Sequence, residues 1–242
     1  PEGQPIVIKE LLEVFHERWK NVDRKTAEVA NQNFDFENKI ILLHGEDINI
    51  QSLIDILIVN QKKFSVIQLV SMQAKFGKKQ ATALAAKGID VKVIDDAGLG
   101  KFLPTIDIIL LGCDIIMHET FISKSGAHLI AAAAKYYKIP VFVLADSRKI
   151  LNKKYFPQSV LGTLIGKEEK PSDGIWKNPP QNIEVVFNHI EEVPNKLINK
   201  FILEKENRLD VVINNAGLGL ASPFEHTGMN EIDRLLDTNA KG

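Results

Sequence analysis

Five short apolar runs constrain the fold more than any other feature: Lys39–Leu43, Phe64–Val70, Val91–Ile94, Ile106–Leu111 and Pro140–Leu144. Each reads as a continuous hydrophobic segment rather than an in-and-out alternation, which is the pattern of a strand covered by helices on both faces. The stretches Ile50–Val59, Lys78–Lys87 and His128–Tyr137 between them are long enough for the crossovers that parallel neighbours require. The expected fold is α/β, a doubly wound parallel sheet of Rossmann-like type. Upstream, Leu11, Leu12, Phe15, Trp19 and Val22 recur at helical spacing between Ile6 and about Asn31, so residues 1–37 are expected to be a helical lead-in, the end of a truncated helical domain. The α/β domain is expected over residues 38–206.

Downstream the pattern is less regular. Lys149–Gln181 carries four prolines and many lysines without sustained periodicity. It predicts a long irregular excursion with one short strand at Val160–Ile165, and serves either as a functional or interface element or as a plain connection. Ile183–Phe187 predicts a further strand, and Pro194 suits the first turn of a helix running to about Lys205.

Thirty basic and thirty-one acidic side chains leave a formal charge of −1, so no whole-chain field favours nucleic acid or an anionic membrane. A single cysteine, Cys113, excludes an internal disulfide and a cysteine-rich zinc site, in keeping with a cytoplasmic protein. No apolar run approaches the ~18 residues that span a bilayer. The start, Pro1–Pro5, lacks the order of a signal peptide, and a chain running from Pro1 to Gly242 reads as a piece of a longer one.

In an open parallel sheet ligands bind beyond the carboxyl ends of the strands. Those ends are His44–Gly45, Ser71–Met72, Asp95–Asp96, Gly112–Cys113–Asp114 and Asp146–Ser147–Arg148. Asp114, after an apolar strand and a glycine, is either a general acid or base aimed into the crevice or a turn carboxylate. Ser123–Lys124–Ser125–Gly126 precedes a helix beginning near Ala127; small residues, helix-start amides and an ammonium group suit a phosphate, and equally an ordinary cap with a solvated lysine. Cys113 reads as a small packed residue. The scattered histidines have no metal-ligand spacing, so no metal is expected.

The ordered set Ile-Leu-Leu-His44-Gly45, Gly112-Cys113-Asp114-Ile115, Ser123-Lys124-Ser125-Gly126, Ile139-Pro140-Val141 and Val193-Pro194-Asn195-Lys196-Leu197-Ile198 resembles the translation initiation factor 2B alpha/beta/delta subunit family. That family carries I-x-T-H, G-A-D-x-I, N-K-I-G-T, I-P-V/F and P-P-E-L-I in the same order. Its enzymatic members, methylthioribose-1-phosphate and ribose-1,5-bisphosphate isomerases, interconvert an aldose and a ketose phosphate with paired proton-transfer groups. The resemblance implies that this pair is a cysteine directly after T-H and the aspartate of G-A-D. Here the aspartate is Asp114, but Gly45 stands at the cysteine position, where it neither gives nor takes a proton. N-G after G-A-D-x-I becomes His118-Glu119, N-K-I-G-T keeps only Lys124 and Gly126, and E-S-R-P is replaced by Val70-Ser71-Met72-Gln73.

These departures favour a regulatory or binding subunit with a relic sugar-phosphate or nucleotide pocket, lined by His44, Gly45, Ser71, Ser123, Lys124 and Gly126. A divergent isomerase is the alternative, with His44 or His118 replacing the cysteine. The resemblance further implies assembly into an oligomer through the α/β domain. No cofactor, membrane or direct nucleic-acid contact is expected.

A second signature lies in residues 207–242. Leu209-Asp210-Val211-Val212-Ile213-Asn214-Asn215-Ala216-Gly217, followed by Asp237-Thr238-Asn239-Ala240, resembles a fragment of the short-chain dehydrogenase/reductase family, in which Asn214, Ala216, Gly217 and Asn239 would lie near a nicotinamide cofactor. The glycine-rich loop that cradles its pyrophosphate is missing upstream, so this segment is not expected to work as a dehydrogenase.

Overall fold

The computed structural model describes residues 4–70, 76–151, 176, 178–186 and 188–204. Helix α1 (Gln4–Asn33) is followed by β1 (Lys39–Leu43), α2 (Ile48–Val59), β2 (Phe64–Leu69), α3 (Phe76–Ala86), β3 (Asp90–Ile94) and β4 (Ile108–Gly112). Then come β5 (Ile115–Ile116), β6 (Thr120–Lys124), α4 (Ala127–Tyr137), β7 (Val141–Leu144), β8 (Ile190–Pro194) and β9 (Lys200–Ile202). A parallel sheet runs in the order β3-β2-β1-β4-β7-β9, and β5-β6-β8 form a small antiparallel sheet beside it.

The apolar runs are continuous because neighbouring residues of one strand enter different cores. Ile41 and Leu43 pack with Ala27 and Ala30 of α1 and Leu53, Ile54 and Leu57 of α2. Leu42 joins Ile109, Leu111 and the Ile130, Ala131 and Ala134 face of α4. Each such side chain withdrawn from water contributes about 1.5–3 kcal/mol, so Ile41–Leu43 of β1 and Ile108–Leu111 of β4 are held from one side or the other. The exception is the edge strand β3, where Val93 is 45% exposed. Asp90 and Lys92 place charges on that edge, which discourages pairing with another chain.

The last strands correct the expectation for this region. Residues 183–186 form no strand, and Pro194 closes a strand instead of opening a helix. Pairing of β8 with β6 sets Val193 against Phe121, and a single 3-10 turn, Asn195–Leu197, leads into β9 on the edge of the main sheet. Buried Val193, Ile198 and Phe201 enter one core and Ile202 the other, so tertiary packing outweighs the helical preference of Pro-Asn-Lys-Leu. Phe187, Val160–Ile165 and residues 205–242 lie outside the described residues. The β5–β6 hairpin went unforeseen because its strands are too short to carry a periodic signal. Asn195 holds its tip, donating through Nδ2 to the carbonyls of Met117 at 3.0 Å and His118 at 3.2 Å. Among the described residues no helix is long and apolar enough to cross a membrane.

Phe121 joins the two sheets: it is fully buried and meets Phe201 edge to face, with ring centroids 5.4 Å apart. Phe121→Ala is expected to cost about 3–5 kcal/mol, read as a lower urea midpoint; a loss under about 1 kcal/mol would show that the small sheet does not depend on this contact.

Candidate functional site

The chain leaves β1 toward β2 on one side of the sheet and leaves β4 toward β7 on the other. The crevice opened at such a reversal is the usual ligand position of an open α/β sheet. It holds a cavity of about 70 Å³ lined by His44, Glu46, Asp47, Gly112, Cys113, Asp114 and Lys124. That volume is well below the ~300 Å³ at which small-molecule sites begin.

On the β1 side, His44 is buried and donates from Nε2 to the Ser125 carbonyl at 2.9 Å. Burial, the largest influence, holds its imidazole below the ordinary range, against the Ser125 carbonyl and the Asp96 and Glu191 carboxylates. Gly45 follows at φ +74°, a left-handed conformation that costs any other side chain strain, and a Cβ there would lie 3.4 Å from Lys124 Cγ. Gln68 Nε2 donates to the Gly45 carbonyl at 3.3 Å. Asp47 caps α2, accepting from the amides of Asn49 at 2.9 Å and Ile50 at 3.2 Å. Its carboxyl is pushed up by burial and drawn back by Lys149, 3.8 Å away, and by those amides.

On the β4 side, Gly112 makes room for that cap: a Cβ there would fall 2.3 Å from Asp47 Oδ2. Sequence reading gave Gly112 the turn before Asp114; close approach of the capping carboxylate is the stronger constraint. Burial pushes the Cys113 thiol far up, so it stays protonated and behaves as a packed residue. Asp114 accepts from Lys124 Nζ at 2.9 Å. Ser123 is buried with its hydroxyl donated to the Gly112 carbonyl at 2.7 Å.

Gly126, at φ +105°, turns the chain into α4. The amides of Gly126 and His128 both donate to one oxygen of Glu191, at 2.8 and 2.7 Å. The helix start singled out from sequence therefore already holds a carboxylate, supplied by β8 from 65 residues away. Glu191 had no local signal, because only the β6–β8 register sets it opposite Ser123. Glu46 was also missed; it lines the cavity, and Lys79 Nζ donates to its two oxygens at 2.9 and 3.2 Å.

Thus His44, Asp114 and Lys124 meet at one cavity with Gly45 between His44 and Glu46. His118 stands on the β5–β6 turn, 3.9 Å from Glu119, and does not line it. Ser71, Asn214, Ala216, Gly217 and Asn239 lie outside the described residues. Among the described residues no group of three or more His, Cys, Asp or Glu is placed to hold a metal.

Residues 3–205 match the model of the Initiation factor 2 subunit family. The chain is similar to translation initiation factor eIF2B subunit alpha of Dictyostelium discoideum, 30% identical over 141 residues that cover 58% of this chain and 44% of that one. It is also similar to ribose 1,5-bisphosphate isomerase of Pyrococcus furiosus, 30% identical over 135 residues, 53% of this chain and 40% of the other. The solved structure of a translation initiation factor eIF-2B of Pyrococcus horikoshii shares the fold at a TM-score of 0.64 and 24% identity, over 78% of this chain and 65% of that one. The chain spans about half the length of the curated relatives it matches, 44% and 49% for two of them.

Two outcomes follow from this geometry. The unfolded chain binds a proton at His44 near pH 6.5 before the folded chain does, so the stability of the neutral ring is present above that pH and falls on acidification, by up to ~1.4 kcal/mol per unit. Asp23 and Asp47, raised by burial, act in the opposite sense, so the measurement is a difference: the urea midpoint should fall less between about pH 7.5 and about pH 5.5 in His44→Gln than in the native chain. Gly112→Ala should cost about 1–3 kcal/mol by driving a methyl group into the Asp47 cap; an unchanged midpoint would mean that the cap can move aside freely.

Proposed function

The chain belongs to the Initiation factor 2 subunit family, and from that premise we propose that it is a regulatory or assembly subunit that keeps an isomerase-type cleft as a relic. The observation that carries this reading is Gly45. At the position where the enzymatic members of the family are expected to place their proton-transferring cysteine, this chain has a residue with no side chain, held at φ +74° against Lys124. Asp114, the other expected member of the pair, is tied to Lys124 at 2.9 Å. An aldose–ketose interconversion moves a proton between adjacent carbons and needs an acceptor and a donor in the same pocket. With one of the two missing, the cleft binds or stays empty but does not turn over.

A second reading, a divergent sugar-phosphate isomerase, is favoured by Glu46. This carboxylate directly follows Gly45 in the chain and lines the same cavity as Asp114, so a carboxylate pair replaces the cysteine–aspartate pair. Dehydrogenase chemistry has less support, since the glycine-rich loop that would cradle a dinucleotide pyrophosphate is missing upstream of Leu209. For the subunit reading, the partners are other chains of the same fold, joined through the α/β domain in the cytoplasm without direct nucleic-acid contact.

Isomerase assays with ribose 1,5-bisphosphate and methylthioribose 1-phosphate are expected to give no turnover above background. Turnover that disappears in Asp114→Asn would overturn the subunit reading, and its further loss in Glu46→Gln would establish the carboxylate pair. Light scattering on the eluting protein is expected to give a dimer or larger species, and a monomer at every concentration would remove the assembly role.

A further inference from the structure

We propose that the outward face of α4 is a docking surface for the chain's own segment Met229–Asp237, which covers it as a short acidic helix. Four residues at helical spacing form that face: Leu129 is 77% exposed and Tyr136 83%, with exposed Ala132 and half-buried Ala133 between them. On the opposite side of the same helix Ala127, Ile130, Ala131 and Ala134 are buried, so α4 is apolar toward the core and toward solvent alike. A helix of that kind is expected to be covered on both sides. The other helices differ: α1 turns Lys20, Arg24 and Lys25 to solvent, and α3 turns Lys78, Lys79 and Thr82. Contiguous exposed apolar surface marks an interaction site.

The charges around the face decide what covers it. α4 contains no acidic residue, and the exposed ammonium groups of Lys135 and Lys138 stand at its C-terminal end. A second copy packed through the same face would set those lysines beside their equals. An amphipathic helix with acidic flanks suits the face instead. Met229–Asp237 carries that pattern: Met229, Ile232, Leu235 and Leu236 fall on one helical face, Glu231, Asp233 and Asp237 flank it, and Arg234 falls opposite.

The connection favours this occupant over a separate partner. Lys135 Nζ donates to the Lys196 carbonyl at 3.0 Å, and Leu203 shares a core with Ile130 and Ala134, so the chain passes Glu204 from the same core that α4 covers. Taken as a flexible coil, residues 205–228 reach about 25–30 Å and hold Met229–Asp237 at an effective concentration on the order of millimolar. This segment lies beyond the residues 3–205 that match the family, and its docking is independent of how the cleft is read.

Hydrogen exchange of the full chain, followed by mass spectrometry on the peptide that covers Met229–Asp237, tests this. Amides there are expected to exchange at least about tenfold more slowly than in an unstructured peptide of the same sequence, as a separate-peptide Kd of about 0.1 mM gives at that effective concentration. Leu129→Asp with Tyr136→Asp should restore the unstructured rate and leave the urea midpoint near the native value, because both side chains are largely exposed. Raising the salt from about 0.05 M to about 0.5 M should also quicken exchange. Unstructured rates in the native chain would overturn the proposal, as would protection that survives both substitutions. Protection that disappears on dilution would overturn it too, since a second chain would then supply the contact. If the double variant does not fold, Lys135→Glu with Lys138→Glu reverses the flanking charge and leaves the apolar face in place; exchange should quicken, and an unchanged rate would overturn the proposal.

Discussion

The structure depends on one constraint, that β1 and β4 are buried on both faces at once. Ile41 and Leu43 face the α1–α2 side while Leu42 faces α4, so neither layer of helices can be removed without opening one of two cores. Helices on both faces require the chain to cross the sheet in two directions, and the change of direction falls between β1 and β4. The crevice at their carboxyl ends is thus a by-product of how the hydrophobic cores are built. Its contents are then supplied by whatever residues end those strands.

What ends them here is a set of matched charges. Asp47 caps α2 and occupies the space that Gly112 leaves open. Lys124 reaches Asp114, and Glu191 takes the α4 amides. In a half-buried setting, such pairs satisfy groups that would each cost free energy if left alone. The ion pairs at the cavity mouth are partly exposed and add little to stability; their importance is that they leave little unspent charge for a ligand. Farther out, Arg148 lies over the Trp19 ring at 3.6 Å and donates to Asp146 at 2.6 Å, so the lead-in helix is fastened to the end of β7 by a cation that also stays paired.

The main sheet was legible in the sequence because its signal is local. Lys39–Leu43 and the helix Ile48–Val59 each carry their pattern within a dozen residues, and Gly-Cys-Asp after β4 marks a strand end by itself. Residues 190–202 were misread because nothing local distinguishes them: Val-Pro-Asn-Lys-Leu suits a helix start until Val193 is paired with Phe121 across more than seventy residues. The same non-locality hid Glu191. Sequence reading found the helix start at Ser123–Gly126 and the lysine beside it, the two features that attract an anion, but had no means to see that the chain brings its own. Glu46 was overlooked for a different reason. Attention fell on the glycine before it, and only the shape of the cavity shows that the neighbouring side chain is turned inward.

The separation of Gly126 and Glu191 along the chain, 65 residues, has a consequence for the protein as it is made. A ribosome adding about 5–20 residues per second delivers the start of α4 roughly 3–13 s before it delivers the carboxylate that closes it. For that interval the amides of Gly126 and His128 have only water or a dissolved anion to bind. Until β8 pairs with β6 and brings Glu191 to them, those amides are left to solvent, so the start of α4 is completed only when the last strands are in place.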